Sequence, residues 1–283
     1  MRLSAHYKTT FNYQISKMTK RLILNEAEII ERYQAGEHAT LIARALGISH
    51  DVIYRRLASH GVSRRSYHDA HMKHSLNESV FSVVTEESAY WIGFLMADGC
   101  VHTRQDTKWA TSTLHLYLAE RDITHIANFK TFLNSSHNIK SVAKNNAVGL
   151  SVASRRLVED LSRYGVVPRK SKTAQVIGLE RDRNFWRGVI DGDGCLSINK
   201  RYSTPQMNLV GSLPLLRQFL AFVLSIIPTK ASIRPSKGIF SLSLSGQAAI
   251  KVMVVLYDNC KTALPRKEEK AKRIIENWRE RKG

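Results

Sequence analysis

AYWIGFLMADGC (Ala89–Cys100) and NFWRGVIDGDGC (Asn184–Cys195) decide the reading of this chain. Trp91 matches Trp186, Gly93 matches Gly188, and Asp98-Gly99-Cys100 matches Asp193-Gly194-Cys195, all 95 residues apart. Pro168-Arg169-Lys170 matches Pro265-Arg266-Lys267 at 97 residues. Two matches at nearly one offset mark an internal duplication. Gly93 and Ala97 lie four apart, as do Gly188 and Gly192, so each pair shares a helix face. Small residues there let two helix backbones pack in near contact. Such a pair forms an interface between the repeats and brings the helix ends together, each carrying an acid, Asp98 and Asp193.

That placement costs energy. A helix C-terminus is already partly negative, and an Asp there is disfavoured by roughly a few tenths to 1 kcal/mol. Two such ends side by side also repel. A divalent cation relieves both problems, because hard cations take carboxylate and carbonyl oxygens. Working outward, each motif helix is followed by a polar strand, a turn and a second strand. A helix comes next, over about Arg121–Leu133 and about Leu215–Ile226. Hairpins near Asn145-Asn146 and near Pro235–Gly238 follow, then a final helix leading to Pro-Arg-Lys. The expected class is α+β, with two pseudo-symmetric αββαββα repeats packed through paired motif helices and saddle-shaped antiparallel sheets, each with one face free.

WIGFLMADG and WRGVIDGDG resemble the two motifs of the single-chain LAGLIDADG homing endonucleases, over roughly residues 85–283. Met96 departs from the family pattern at a position where the second copy keeps Asp191; the last acid of each motif is present in both. The resemblance implies a site-specific endonuclease that hydrolyses one phosphodiester in each strand of DNA, with Mg²⁺ or another divalent cation such as Mn²⁺. It implies Asp98 and Asp193 as catalytic metal holders, double-stranded DNA with a long asymmetric target as partner, and a monomer. Alternatives on the same fold are an intron RNA maturase, with host intron RNA as partner, and a non-catalytic DNA-binding regulator.

Lys170 and Lys267 are candidates to stabilise the transition state or order water, with Arg169, Lys172 and Arg266 as rivals; the same residues could instead cap helices or touch phosphate. Base reading is expected on the free sheet faces, since alternate strand residues point one way. The candidates are His102, Arg104, Thr113, His115 and Tyr117 in the first copy, opposite the core-facing Leu114, Leu116 and Leu118. In the second they are Ser197, Asn199, Arg201, Asn208 and Ser212. Arg suits guanine and Asn adenine in the major groove. Cys100 and Cys195 read as small strand residues, because Mg²⁺ chemistry prefers oxygen.

Upstream, 1–66 reads as a tail and a helix-turn-helix, 67–84 as a linker, 85–180 and 181–283 as the repeats. Asn25 can cap a first helix to about Ala35, Ala39–Leu46 forms a second, Gly47 turns the chain, and Ser49 caps a third over His50–Ser59. The arrangement of Ala43, Gly47, Ile48, Ile53 and Leu57 resembles the resolvase and invertase helix-turn-helix. That would present Ser49, His50, Tyr54 and Arg55 to DNA, with Arg56 on phosphate. His68, His71 and His74 have no Cys or clear carboxylate partner nearby and read as a polar connector rather than a metal site.

The 283 residues carry 43 Lys+Arg against 24 Asp+Glu, a net +19 that points to a polyanion. It divides as +5 over 1–84, +3 over 85–180 and +11 over 181–283. The Pro265–Gly283 segment, the most basic, reads as a helix with Ile274, Ile275 and Trp278 on one side. Three cysteines make no disulfide framework or zinc pattern, no apolar run is long enough to span a membrane, and the start lacks a signal-type core. These features lead us to expect a soluble intracellular protein, in the cytoplasm or nucleoid of a prokaryote or phage-infected cell, with an organelle as the alternative.

Overall fold

A computed structural model of the chain describes residues 25–65, 74–104, 111–199 and 201–281. They fall into two units, divided between Lys73 and His74.

The described residues of the first unit form three helices: α1 (Glu26–Gln34), α2 (Ala39–Leu46) and α3 (His50–Ser59). The Asn25 side chain caps α1 by accepting from the Glu28 amide, and Ser49 caps α3 through the Asp51 amide. Between α2 and α3 the backbone turns at Gly47 with φ 65°, where a Cβ would be strained. Ile29, Tyr33, Ala39, Ile42, Ala43, Ile53 and Leu57 form the core.

The second unit begins with residues expected to be a connector. Instead, the Asn77 amide donates to the Leu133 carbonyl, the Ser75 amide donates to Ser136 Oγ, and Phe81 is fully buried in the first repeat's core. Residues 74–84 therefore belong to the folded repeat, with Leu76 and Val80 packed against the same core as Phe81. His68 and His71 lie outside the described residues.

The first motif helix, α4 (Glu86–Ala97), is followed by β1 (Gly99–Arg104), β2 (Thr111–Ala119), α5 (Ile123–Phe132), β3 (Lys140–Val142), β4 (Ala147–Ala153) and α6 (Arg155–Arg163). The second motif helix, α7 (Arg183–Asp193), leads into β5 (Gly194–Asn199), β6 (Thr204–Gly211), α8 (Leu213–Ile226), β7 (Ile233–Ser236), β8 (Ile239–Ser245), α9 (Gly246–Tyr257) and α10 (Pro265–Glu280). The repeats are α+β, each with a four-stranded antiparallel sheet, ordered β1-β2-β4-β3 and β5-β6-β8-β7. Period-two alternation puts Val101, Leu114, Leu116, Leu150 and Val152 on the core side of one sheet. Leu196, Met207, Leu209, Leu242 and Leu244 do the same in the other.

Two element bounds differ from the sequence reading. A 3₁₀ turn over Glu120–Asp122 shortens α5 at its start. Helix α8 starts two residues early because Ser212 caps it through the Leu215 amide and Pro214 is tolerated in a first turn. Ser212 is therefore a buried cap, not a base reader.

The motif helices pack against each other at their glycines. A Cβ on Gly93 would sit 2.0 Å from the Phe185 carbonyl oxygen, and one on Gly188 would sit 2.1 Å from that of Tyr90. One on Gly192 would meet the Ala97 Cβ at 2.3 Å. These positions admit only hydrogen.

Candidate active site

Asp98 is the C-cap of α4 and Asp193 the last residue of α7. A Cβ on Gly192 would lie 3.2 Å from Asp98 Oδ2, so the Asp98 carboxylate lies over the last turn of the opposite helix. Each acid keeps a solvent-accessible side while protein surrounds the rest. That partial desolvation is the main cause of their raised pKa values. Asp193 is pushed up to about 6, with repulsion from Asp98 second, while Lys170 and Lys267 pull both carboxyls back down.

Those two lysines come from the duplicated Pro-Arg-Lys and are both buried. Lys267 Nζ donates among the carbonyls of Ile190 (2.7 Å), Asp191 (2.6 Å), Gly192 (3.1 Å) and Gly194 (2.7 Å). Lys170 Nζ donates to the Gly99 carbonyl. Each therefore ties down the end of its own motif helix, neutralising carbonyls that would otherwise be buried without partners. The same placement sets both ammonium groups near both acids, Lys267 acting most on Asp98 and Lys170 most on Asp193. Burial lowers both lysine pKa values, and the carboxylates oppose the shift.

The rivals are placed differently. Arg266 is committed to a bidentate pair with Asp122 of the first repeat, through Nε at 2.9 and 3.1 Å and Nη2 at 3.0 Å. Arg169 adopts φ 57° at the loop corner, and Lys172 is exposed.

Two carboxylates at one point suit Mg²⁺, which keeps waters and needs one or two carboxylates plus substrate phosphate rather than an all-protein cage. Among the described residues no group of three His, Cys, Asp or Glu side chains could form such a cage. Cys100 and Cys195 are free and exposed.

On the first sheet, His102 pairs with Thr113 in register, and Thr113, His115 and Tyr117 share the free face. They form a network. His115 Nδ1 bonds Ser151 Oγ at 2.9 Å, His115 Nε2 bonds Thr113 Oγ1 at 3.0 Å, and Tyr117 Oη bonds Ser151 Oγ at 3.0 Å. Burial, then His102 and Lys140, keep the His115 pKa low. Ser151 and Lys140 were missed by the sequence reading; pairing of β4 with β2 and β3 brings them in. Arg104 closes β1, and only its backbone is described.

On the second sheet, Ser197 and Asn208 lie on the free face, joined by Gln206, Ser241, Ser243 and Arg234, all unassigned from sequence. Asn208 Oδ1 accepts from Ser243 Oγ at 3.3 Å. Asn199 departs from expectation. Its Oδ1 accepts from the Arg201 and Tyr202 amides, so it builds the β5–β6 turn, and the exposed Arg201 lies over the Tyr202 ring.

In the first unit Ser49 is engaged as a cap, and His50 and Arg55 are exposed. Tyr54 is half-buried beneath Arg64, whose guanidinium carbon is 4.0 Å from the ring centroid. Arg56 is paired with Glu26 at 2.9 Å. The pairing was hidden from sequence because it joins α1 to α3.

A second group unread from sequence lies inside the repeat interface. Asp191 is fully buried and accepts from Tyr90 Oη (2.8 Å), Tyr257 Oη (2.7 Å) and the Leu264 amide (2.7 Å). Burial still pushes it up to about 6. Tyr90 Oη also meets His125 Nε2 at 3.0 Å. Since Tyr90 donates its proton to Asp191, His125 Nε2 carries the hydrogen here, and burial holds this His down at about 4, neutral. The signal was available: an Arg and an Asp one turn apart in a motif helix whose twin is apolar there.

No protein-family model matches the chain, and no curated protein matches it in sequence. Solved structures do match. The LAGLIDADG meganuclease I-AabMI bound to uncleaved DNA superposes with TM-score 0.53 at 12% identity, covering 70% of this chain and 92% of its own. The LAGLIDADG homing endonuclease I-GzeII, in complex with a DNA target, gives 0.50 at 12%, covering 70% and 90%. The meganuclease I-SmaMI on uncleavable DNA gives 0.50 at 10%, covering 68% and 90%. The chain has the fold of the single-chain LAGLIDADG homing endonucleases, with two pseudo-symmetric repeats joined through their motif helices.

Proposed function

We propose that the protein is a site-specific, divalent-metal-dependent double-strand DNA endonuclease of the homing type. The observation that carries this reading is the meeting of Asp98 and Asp193 at two abutting helix ends, each with a buried lysine beside it. Mg²⁺ or Mn²⁺ bound there supplies Lewis-acid activation of phosphate and water. Asp98 and Asp193 hold the charge that recruits it, one for each strand of a duplex. Lys170 and Lys267 keep the carboxylates ionised and the helix ends fixed, and their ammonium charge favours a pentavalent phosphate. The two free sheet faces carry His, Thr and Tyr on one side and Ser, Asn, Gln and Arg on the other. A target read by both is asymmetric. Residues 25–65 add a helix-turn-helix contact through His50, Arg55 and Arg64, lengthening the footprint.

The test is selection of cleaved sites from a randomised plasmid library in Mg²⁺. Cutting of both strands at one site is expected. Tight binding of one site that is never cut would replace the nuclease with a regulator, and binding confined to intron RNA would replace it with a maturase.

A further inference from the structure

The two motif helices differ along one face. In α7 the residues Asn184, Arg187 and Asp191 fall at i, i+3 and i+7; the matching positions in α4 are Ala89, Ile92 and Met96. Arg187 is buried, donating from Nε to the Thr262 carbonyl (2.8 Å), from Nη1 to the Leu256 carbonyl (2.9 Å) and from Nη2 to Asn184 Oδ1 (2.9 Å). Asp191 takes the Leu264 amide and Tyr257 Oη. Two charged side chains one turn apart thus grip the end of α9 at two points and the loop after it at two more. That loop is longer than its twin: seven residues lie between Tyr257, the last of α9, and Pro265, but four between Arg163, the last of α6, and Pro168. Asp258, Asn259 and Lys261 face solvent, but Ala263 and Leu264 at the end of the loop are buried, and buried amides and carbonyls need partners. Immediately after the loop come Pro265, Arg266 and Lys267. Arg266 crosses to Asp122, and Lys267 caps the helix end at Asp193.

We propose that Arg187 and Asp191 are positioning residues for Lys267: they hold the end of α9 and the loop after it so that Lys267 reaches the carbonyls at the end of α7. The first half delivers Lys170 with no such charged clamp, through a shorter loop whose Gly165 lies against Met96. Loosening the clamp therefore slows the cut that depends on Lys267 more than the one that depends on Lys170. This inference rests on the nuclease reading above.

The experiment uses the full chain, its selected target on a supercoiled plasmid, and the variants Asp191→Asn, Arg187→Met and the milder Tyr257→Phe. Ile92→Val, at the position matching Arg187, reports generic core damage. The parent is expected to linearise the plasmid with little nicked intermediate. Asp191→Asn and Arg187→Met should accumulate nicked circles, with the second cut roughly tenfold or more slower, since small misplacements near chemistry cost up to about 10²-fold. Primer extension should find the same strand uncut in both. Tyr257→Phe should shift the ratio the same way by less, which keeps the test open if the harsher variants fail to fold. Hydrogen exchange at the Leu264 amide should speed up while target binding in EDTA holds. Equal slowing of both cuts, or nicking by Ile92→Val to the same degree, would overturn the clamp. A parent that cuts nothing would instead overturn the nuclease reading.

Discussion

The two motif helices share a register and a packing glycine, yet one is apolar where the other carries a buried Arg and a buried Asp. Both ends meet the same demand: an acid at a helix C-terminus, tied down by a lysine from a Pro-Arg-Lys stretch. They meet it with different chemistry because the connecting loops differ in length. The short loop after α6 leaves little backbone to satisfy, so Ile92 and Met96 suffice. The long loop after α9 requires Arg187 and Asp191. Duplication thus preserved the site and let its support diverge.

The largest effect we expect falls on what the halves share. Gly93→Ala and Gly188→Ala force a Cβ to within 2.0 and 2.1 Å, respectively, of a backbone oxygen. Each should destabilise the second unit by about 3 kcal/mol or more, read by thermal or denaturant unfolding. A clear inequality between them would show that the interface is not symmetric. The next effect separates the halves. Asp191→Leu orphans two hydroxyls and an amide and should cost about 3 kcal/mol, whereas Met96→Leu, a swap of similar volume, should cost less than about 1.5. Equal losses would erase the distinction drawn between them.

A smaller effect follows from pH. The Asp193 carboxyl binds its proton more readily folded, at about 6, than unfolded. Its charge therefore weakens the metal-free protein above pH 6, and that penalty fades as pH falls toward its unfolded value. Asp193→Asn should accordingly raise metal-free stability at pH 7 by about 1 kcal/mol, reduced for the carboxylate's accessible side, and by nothing near pH 4. Denaturant titrations at both pH values check the sign. The same proton competes with a cation, so cleavage should fall below pH 6. The smallest effect concerns charge. Replacing the exposed Lys270 and Arg273 of α10 by Gln should reduce the salt slope of DNA binding by about 0.9 per lost phosphate contact. Matching changes in residues 85–180, such as Arg155 and Arg156, should do less.

Much of this was legible in the sequence, because a duplicated motif with small-residue spacing and a terminal acid specifies both the helix pair and the acids. Strand alternation fixed the free faces, so His102, Thr113, His115, Tyr117, Ser197 and Asn208 fall on them. What escaped depends on long-range pairing. Asn199 turned out to close a turn, Arg56 to pair with Glu26, and Arg266 with Asp122. Composition gave no hint of these choices, since each competes with a DNA role for the same side chain. Residues 74–84 were misread because Leu76, Val80 and Phe81 pack inward from a stretch too short to mark an element, held otherwise by backbone hydrogen bonds.

The central claim is that two carboxylates on abutting helix ends run one cut each. Its most direct test is strand-resolved cleavage of the selected target in Mg²⁺ by the parent, Asp98→Asn and Asp193→Asn. We expect each variant to lose one strand's cut by on the order of 10²–10³-fold, a different strand in each, while binding the target as tightly as the parent. Undiminished double-strand cleavage by either variant would contradict the account.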